Sequence, residues 1–437
     1  MPGYKVIHDS VHGSVKVEGI FLDLLGRPEM QRLHGVHQLG LAHYVFPGAN
    51  HTRLEHSLGT YHIASRMAEA LQLEEGETRS VLAAALLHDI GHTPFSHTLE
   101  EVIHHRLEKD HMDISKDLIL GDYSPYQGRD VEVLGDLPAL PEVLEAAGIS
   151  AREVADLVVS AQARADPTQS TLAVEAGQAH FGTKNYLHQI ISGPLDVDQM
   201  DYLLRDAHYT GVAHGTIDMD RLLQTITIYH GNLVVAKGGL VSVEGLLVAR
   251  ALMYTSVYFH KTVRIAEMMM CKAVETAPQE LLDDVFVDTD CSLAAKLSEA
   301  GGPPARLMSL LKYRKLYKKA VMLPISGLEE GQVEQLIGLA EYPRRKAKER
   351  EIAERAGVSE EEVILDIPEK ALLLSEPRIG KTDLSILDGE RVKPLSRYSP
   401  LAKALQARGV HDWAVMVSTP ARRREEVERA ALKALFD

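Results

Sequence analysis

The stretch LLHDIGHTPFSHTLE, residues 86–100, decides the reading of this chain. Apolar residues recur at helical spacing over 76–90, and Gly91 stops that helix just after His88-Asp89. Adjacent helical residues point about 100° apart, because one turn holds roughly 3.6 of them. The pair therefore cannot share one buried face, yet both side chains can reach a single ion near the helix terminus. Neutral imidazole nitrogen with carboxylate oxygen suits a divalent borderline metal better than calcium. One more histidine and one more carboxylate would complete a four-ligand set with positions open for water or substrate. His56, one helix earlier, and Asp198, in the run DVDQMD, are the natural candidates. Such an ion polarises a phosphoryl oxygen and lowers the pKa of water. A lone HD dipeptide is more often a helix cap with a satisfied histidine, so its surroundings decide.

Working outward, residues 54–73 carry a second helical pattern, and residues 4–17 alternate and break at His12-Gly13, a β-hairpin signal. Downstream, 96–106 and 110–119 read as short helices and 121–137 as a turn-rich connection. Helices are expected at 151–163, 182–210 and 240–276, with a β-pair over 225–239 turning at His230-Gly231-Asn232. After about residue 300 the texture changes. Residues 327–356 are helical and charge-rich, and the run RRKAKERE (344–351) reads as a solvated helix with i,i+4 pairs. Strand-like runs follow (EVILDIP, ALLLS, LSILDG), then a helix (SPLAKALQARG), a strand (DWAVMVST) and an amphipathic end helix. The expectation is a mainly α protein: a helical body with an N-terminal β-hairpin and a small C-terminal α+β appendage. The division falls near residue 320, giving 1–320 and 321–437. Trp413, the only tryptophan, reads as core of the C-terminal unit.

The chain has 437 residues, 45% of them hydrophobic, enough to bury a large core shared by more than one domain. Net charge is -15, which argues against non-specific binding to nucleic acid or an anionic membrane, so an anionic substrate needs locally concentrated positive charge. Two cysteines, Cys271 and Cys291, make neither a disulfide framework nor a cysteine-based zinc site, and fit a reducing, cytoplasmic setting. The N-terminus lacks the apolar segment of a signal peptide, and no run approaches the roughly 20 apolar residues of a membrane helix.

Two polar stripes lie downstream. Asp198, Tyr202 and Asp206 stand at i, i+4 and i+8, and Arg250, Tyr254 and Tyr258 repeat that spacing. Such stripes are costly to bury in a core, which favours a cleft between them.

Three ordered motifs now bear on function: QRLHGVHQLGLAHYVFPGANHTRLEHSLGT (31–60), LLHDIGHTPFSHTLE (86–100) and DVDQMDYLLRDAHYTGV (196–212). Together they resemble the HD-domain superfamily of metal-dependent phosphohydrolases, most closely its deoxynucleoside triphosphate triphosphohydrolase branch, over roughly residues 4–320. The resemblance implies one divalent ion (Fe, Mn, Mg, Zn or Ni) held by His56, His88, Asp89 and Asp198. It implies that Arg53 contacts the phosphate under attack. His92 and His97 would face the phosphates, with His97 as general acid, Glu100 orienting it and His111 completing the wall. Position 100 is more often aspartate in that branch. Tyr202 and Arg250 would touch phosphates, Gln38 and Asp206 would hold the sugar 3′-hydroxyl, and Leu39 and Tyr258 would pack on sugar and base. The implied reaction is hydrolysis of a deoxynucleoside triphosphate to deoxynucleoside and triphosphate, by a homo-oligomer (dimer or tetramer). Where that branch often has lysine after the last aspartate, this chain has Gln199, and Phe259 stands where a polar base contact is expected. Lys261 and Arg264 are the nearby cations. Gln199 leans toward another phosphate ester, such as a nucleoside monophosphate. A third reading is a nucleotide or nucleic-acid sensor without turnover.

Overall fold

In the computed structural model of the chain, the described residues are 3–126, 129–135, 137–159, 184–367, 384–406 and 413–436. The hairpin pairs Tyr4–Asp9 with Gly13–Glu18 in antiparallel register, Asp9 opposite Gly13. Val15 and Val17 alternate onto the buried face, as a period of two requires. They meet the helices Arg53–Leu71 and Glu75–Leu87, whose Ile63, Met67, Val81 and Leu86 are sealed in the central core. Helix Val197–Thr210 packs against Arg53–Leu71, while helices His111–Leu120 and Ala151–Val158 pack against each other. The fold is mainly α, as the periodicity indicates.

Three expected helices are broken, each for a local reason. The pattern over 182–210 contains two helices, Asn185–Ile191 and Val197–Thr210, because Ser192-Gly193-Pro194 intervenes and Asp196 caps the second by accepting from Gln199 N at 2.8 Å. The pattern over 240–276 runs as Leu240–Met253, widens into a π-helical turn at Tyr254–Tyr258, and restarts as Lys261–Glu275. The pattern over 327–356 divides into Glu330–Leu339 and Tyr342–Ala356, with Pro343 in the first turn of the second. A short helix, Arg129–Leu134, occupies part of the expected connection. The ends expected at 160–163 and 182–183, the ALLLS run and the end of SPLAKALQARG lie outside the described residues.

The charge run 344–351 is not solvated throughout. Arg345 and Glu349 are buried, and Glu349 Oε2 accepts from Lys272 Nζ at 2.5 Å and Lys346 Nζ at 2.8 Å. Its other oxygen accepts from Leu365 N at 2.9 Å. Helix Tyr342–Ala356 is thus clamped between helix Lys261–Glu275 and strand Ile364–Asp366, which periodicity alone did not reveal.

The C-terminal elements divide. Strands Lys318–Leu323, Val415–Thr419 and Ile364–Asp366 form an antiparallel sheet in that order, flanked by helices Tyr342–Ala356 and Arg424–Phe436. Strands Ser385–Asp388 and Arg391–Pro394 instead extend the β-pair Ile226–Tyr229 and Asn232–Ala236 into a four-stranded sheet on the body. Trp413 is a core residue, packed in a cluster with Met269 and Met416. The run Lys237–Tyr258 is long and apolar enough to cross a membrane by length and composition, contrary to the plain count of apolar residues. Half of its apolar window is buried inside the protein, and Leu246, Leu247 and Met253 belong to the core.

Candidate metal centre and active site

A capping box starts the helix that carries the first candidate ligand. Thr52 accepts from Glu55 N, and Glu55 Oε2 accepts from Thr52 N at 2.7 Å. Arg53 and His56 consequently occupy its first turn, both fully buried. His88 closes the next helix, and Asp89 follows in the turn. Asp198 lies in the first turn of Val197–Thr210. These three helix ends bring four groups together. His56 Nε2 lies 3.0 Å from Asp198 Oδ1, 3.3 Å from His88 Nε2 and 3.7 Å from Asp89 Oδ2. His88 Nε2 lies 3.4 Å from Asp89 Oδ1 and 3.9 Å from Asp198 Oδ1.

The donor set fits a divalent ion. Ligands about 2.1 Å from a metal stand about 3.0 Å apart at right angles, close to the spacings found here. Tautomers agree. His88 Nδ1 donates to the carbonyl of Ala85 at 2.9 Å, and His56 Nδ1 donates to Asp201 Oδ2 at 2.7 Å. Both histidines therefore aim Nε2 lone pairs at one point with Asp198, and the two Asp89 oxygens border it. Such groups repel unless positive charge stands between them. Burial opposes charging His56, but its bonds to Asp198 and Asp201 prevail and push its pKa up to about 10, so the pocket favours positive charge at this point.

Asp201 anchors the cradle from behind. It is fully buried and accepts from His12 Nε2 at 2.6 Å, from His56, and from Arg205 Nε and Nη2 at 2.8 and 3.0 Å. Arg205 Nη1 also reaches Asp9 Oδ2 at 2.8 Å, and Asp9 Oδ1 accepts from the backbone N–H of Val11 and His12. The hairpin turn is thereby tied to the metal cradle. A Cβ added at Gly59 would stand 1.9 Å from Asp201 Oδ1, so only glycine lets the two helices approach this closely.

Beyond His88-Asp89 the backbone enters a strained turn. Phe95 and Ser96 have φ of 60° and 54°, a region costing on the order of 1–3 kcal/mol per residue. Three bonds hold it: Phe95 N to Asp290 Oδ1 at 2.6 Å, Ser96 Oγ to the His37 carbonyl at 2.6 Å, and Arg53 Nε to Ser96 Oγ at 2.7 Å. The turn presents His92 and His97. His97 Nδ1 meets Glu100 Oε2 at 2.8 Å, and His111 Nδ1 bonds the other Glu100 oxygen. His92 stacks on His111, ring centroids 4.0 Å apart. Burial and the neighbouring Arg53 hold His92 well below the usual histidine range, so it is neutral. Against burial, His97 and His111 keep Glu100 ionised far below the usual carboxylate range. Against the same penalty, Glu100 raises His111.

Arg53 Nη1 bonds Asp89 Oδ2 at 2.5 Å, while Nη2 is buried and makes no hydrogen bond among the described residues. Both residues line a cavity of about 780 Å³. His88, Asp198, His92, His97 and His111 line it too, as do Gln38, Leu39, Tyr202, Asp206 and Tyr258. Gln38 Oε1 is buried there, again with no hydrogen bond among the described residues. Tyr258 donates to Asp206 Oδ2 at 2.6 Å, and His51 Nε2 meets Asp206 Oδ1 at 2.9 Å. Three sequence candidates lie elsewhere. His56 is sealed behind the lining, Glu100 stands behind the histidines it holds, and Arg250 is buried with Nη1 3.5 Å from Gln199 Oε1. Gln199 is itself buried, donating to Gly193 O and Asp196 Oδ2.

Asp201, His12, Arg205 and Asp290 build the site without standing out as site residues in the sequence. The i,i+4 spacing of Asp201 and Arg205 was an available signal for a paired buried charge. Asp290 offered none, since it meets the Phe95 turn across 195 positions.

Comparison with known proteins identifies the family. Residues 53–206 match the HD domain family, and residues 217–436 match the family described as HD associated region. The chain is 30% identical over 433 residues to an uncharacterised protein, MJ1154, of Methanocaldococcus jannaschii, covering 98% of this chain and 82% of that one. It is 29% identical over 233 residues to the bovine deoxynucleoside triphosphate triphosphohydrolase SAMHD1, covering 50% of this chain and only 38% of that protein. A crystal structure of a hypothetical protein from Aquifex aeolicus superposes with a TM-score of 0.65 at 28% identity, covering 98% and 99% of the two chains. These likenesses place the chain in the HD-domain superfamily of phosphohydrolases, in its SAMHD1-like branch, with the HD associated region making up its C-terminal half.

Proposed function

We propose that the chain hydrolyses deoxynucleoside triphosphates to deoxynucleoside and inorganic triphosphate, with water attacking the α-phosphorus. One observation carries the reading: a metal cradle, a carboxylate-held histidine pair and a polar shelf share one cavity. When bound at His56, His88, Asp89 and Asp198, a divalent cation would supply charge for a phosphate oxygen and lower the pKa of water. Arg53 directs its Nη2 donors at the α-phosphate as negative charge develops. His97, held through Nδ1 by Glu100, presents Nε2–H to the departing 5′-oxygen, a contribution on the order of 10²–10⁴ in rate. His92 and His111 complete the phosphate wall, and Tyr202 donates to the phosphates from the facing helix. Asp206 accepts the proton of the 3′-hydroxyl, and the Gln38 side-chain amide donates to its oxygen. Leu39 packs under the sugar. The Tyr258 ring, fixed by its bond to Asp206, lies against C2′ and excludes a 2′-hydroxyl. The likeness to the bovine triphosphohydrolase supports the triphosphate.

Gln199 favours a second reading. It stands where that branch often has lysine, leaving one cation fewer for a polyphosphate, which suits a nucleoside monophosphate. Incubation with Mn²⁺, Mg²⁺ or Fe²⁺ and each dNTP or dNMP separates the two. Tripolyphosphate equal to released deoxynucleoside is the expected product. Orthophosphate from the monophosphate alone would replace the proposal with the second reading, and tight binding without turnover would make the protein a sensor.

A further inference from the structure

Two charged side chains line the cavity on a wall that the proposed chemistry does not use. Arg264 and Glu267 stand one turn apart on helix Lys261–Glu275, their side chains 23% and 14% exposed. On one side of them the wall is apolar: Val263 packs with Ala42, Leu39 and Phe46, and the Phe259 ring lies 6.0 Å from the Arg264 guanidinium; on the other, the helix packs on the Ser96–Thr98 turn that carries His97. Arg264 is held in place. Nη2 donates to Asp366 Oδ1 at 2.7 Å, Nε to Asp366 Oδ2 at 3.3 Å and Nη1 to Glu267 Oε2 at 3.3 Å. Asp366 is buried at the end of strand Ile364–Asp366, in the C-terminal three-stranded sheet.

We propose that Arg264 and Glu267 read the edge of the nucleobase, and that Asp366 positions them, so the C-terminal sheet forms part of the specificity pocket. The inference rests on the proposed dNTP reading. A flat ring laid against Phe259, beyond the sugar that Leu39 supports, brings its edge to this pair. A guanidinium beside a carboxylate offers a donor next to an acceptor, complementary to a base edge with a carbonyl or ring nitrogen beside an N–H. An apolar pocket with few polar groups draws its selectivity from those groups, because a mismatched base leaves them unpaired. Two neighbouring carboxylates neutralise Arg264, which suits an uncharged ring better than a polyphosphate. Lys261 is exposed and lies outside the cavity lining, so it does not share this role.

The test compares kcat/KM for the four dNTPs in the wild type, Glu267→Gln, Arg264→Lys and Asp366→Asn, together with inhibition by inorganic tripolyphosphate. Glu267→Gln and Arg264→Lys should change the ratio between preferred and disfavoured bases about 5- to 100-fold, leaving the tripolyphosphate inhibition constant unchanged. Asp366→Asn should flatten base preference through KM rather than kcat. An equal loss for all four bases, or weakened tripolyphosphate inhibition, would overturn the proposal and assign Arg264 to the phosphates. If the wild type turns over no dNTP, the functional reading fails separately. Calorimetric binding of the four deoxynucleosides then decides the pocket: base-dependent affinity lost in Glu267→Gln supports it, and base-independent affinity overturns it.

Discussion

Replacing Asp201 by asparagine isolates the support behind the metal cradle. The carboxylate accepts four hydrogen bonds on two oxygens: His12 and Arg205 Nη2 on Oδ1, and His56 and Arg205 Nε on Oδ2. An amide of the same shape has one acceptor oxygen and one NH₂. Whichever way it turns, an N–H of Arg205 faces an N–H, and the charge that holds His56 Nδ1–H is gone. Losing such an outer partner typically lowers metal affinity about 10- to 100-fold. At about 1.4 kcal/mol per decade, that is roughly 1.4–2.8 kcal/mol. Breaking a buried ion pair costs on the order of 3–5 kcal/mol. Because Arg205 retains Asp9 at 2.8 Å, the low end, about 3 kcal/mol, is expected. Chelator competition measures the affinity, and urea unfolding of the metal-free protein measures stability. A variant with metal affinity within twofold of wild type and unchanged unfolding would refute this account of the anchor.

Glu100→Gln should lower kcat by about 10- to 100-fold with little change in KM, because the charge that holds His97 and His111 is lost. The His111 ring titration, followed by NMR, should also move to lower pH, since Glu100 is what raises His111 against burial; an unmoved titration would exclude Glu100 from setting that protonation. His37 supplies a stability test. Its bond to Asp290 raises its pKa, with burial opposing. The raised value makes its contribution complete below the ordinary pKa near 6.5, and the contribution fades as pH rises through the higher folded value. The difference in unfolding free energy between wild type and His37→Gln should therefore shrink with rising pH, and a pH-independent difference would contradict the pairing.

Local signals made the body and much of the cleft legible. The apolar pattern over 54–73 locates helix Arg53–Leu71, the pattern over 76–90 overruns helix Glu75–Leu87 into the turn that His88 opens, and Asp198, Tyr202 and Asp206 repeat at helical spacing onto the cavity wall. Breaks within helices were harder to see. The π-turn at Tyr254–Tyr258 leaves apolar periodicity almost undisturbed while changing where the chain goes next. Least visible were the long-range polar partners. Glu349 reads as one more charge in a charged run until Lys272 and Leu365 N are brought to it. Asp290 and Asp366 reach the site from elements far along the chain, and one sequence carries no local mark of those meetings.

Hydrolysis at the α-phosphorus, by the cradle proposed for His56, His88, Asp89 and Asp198, can be followed isotopically. Turnover of a dNTP by the metal-loaded protein in H₂¹⁸O tests it most directly, with products resolved by mass spectrometry. One ¹⁸O is expected in the inorganic triphosphate and none in the deoxynucleoside, because the P–O5′ bond breaks. Label in orthophosphate or pyrophosphate, or in the 5′-hydroxyl of the deoxynucleoside, would contradict it.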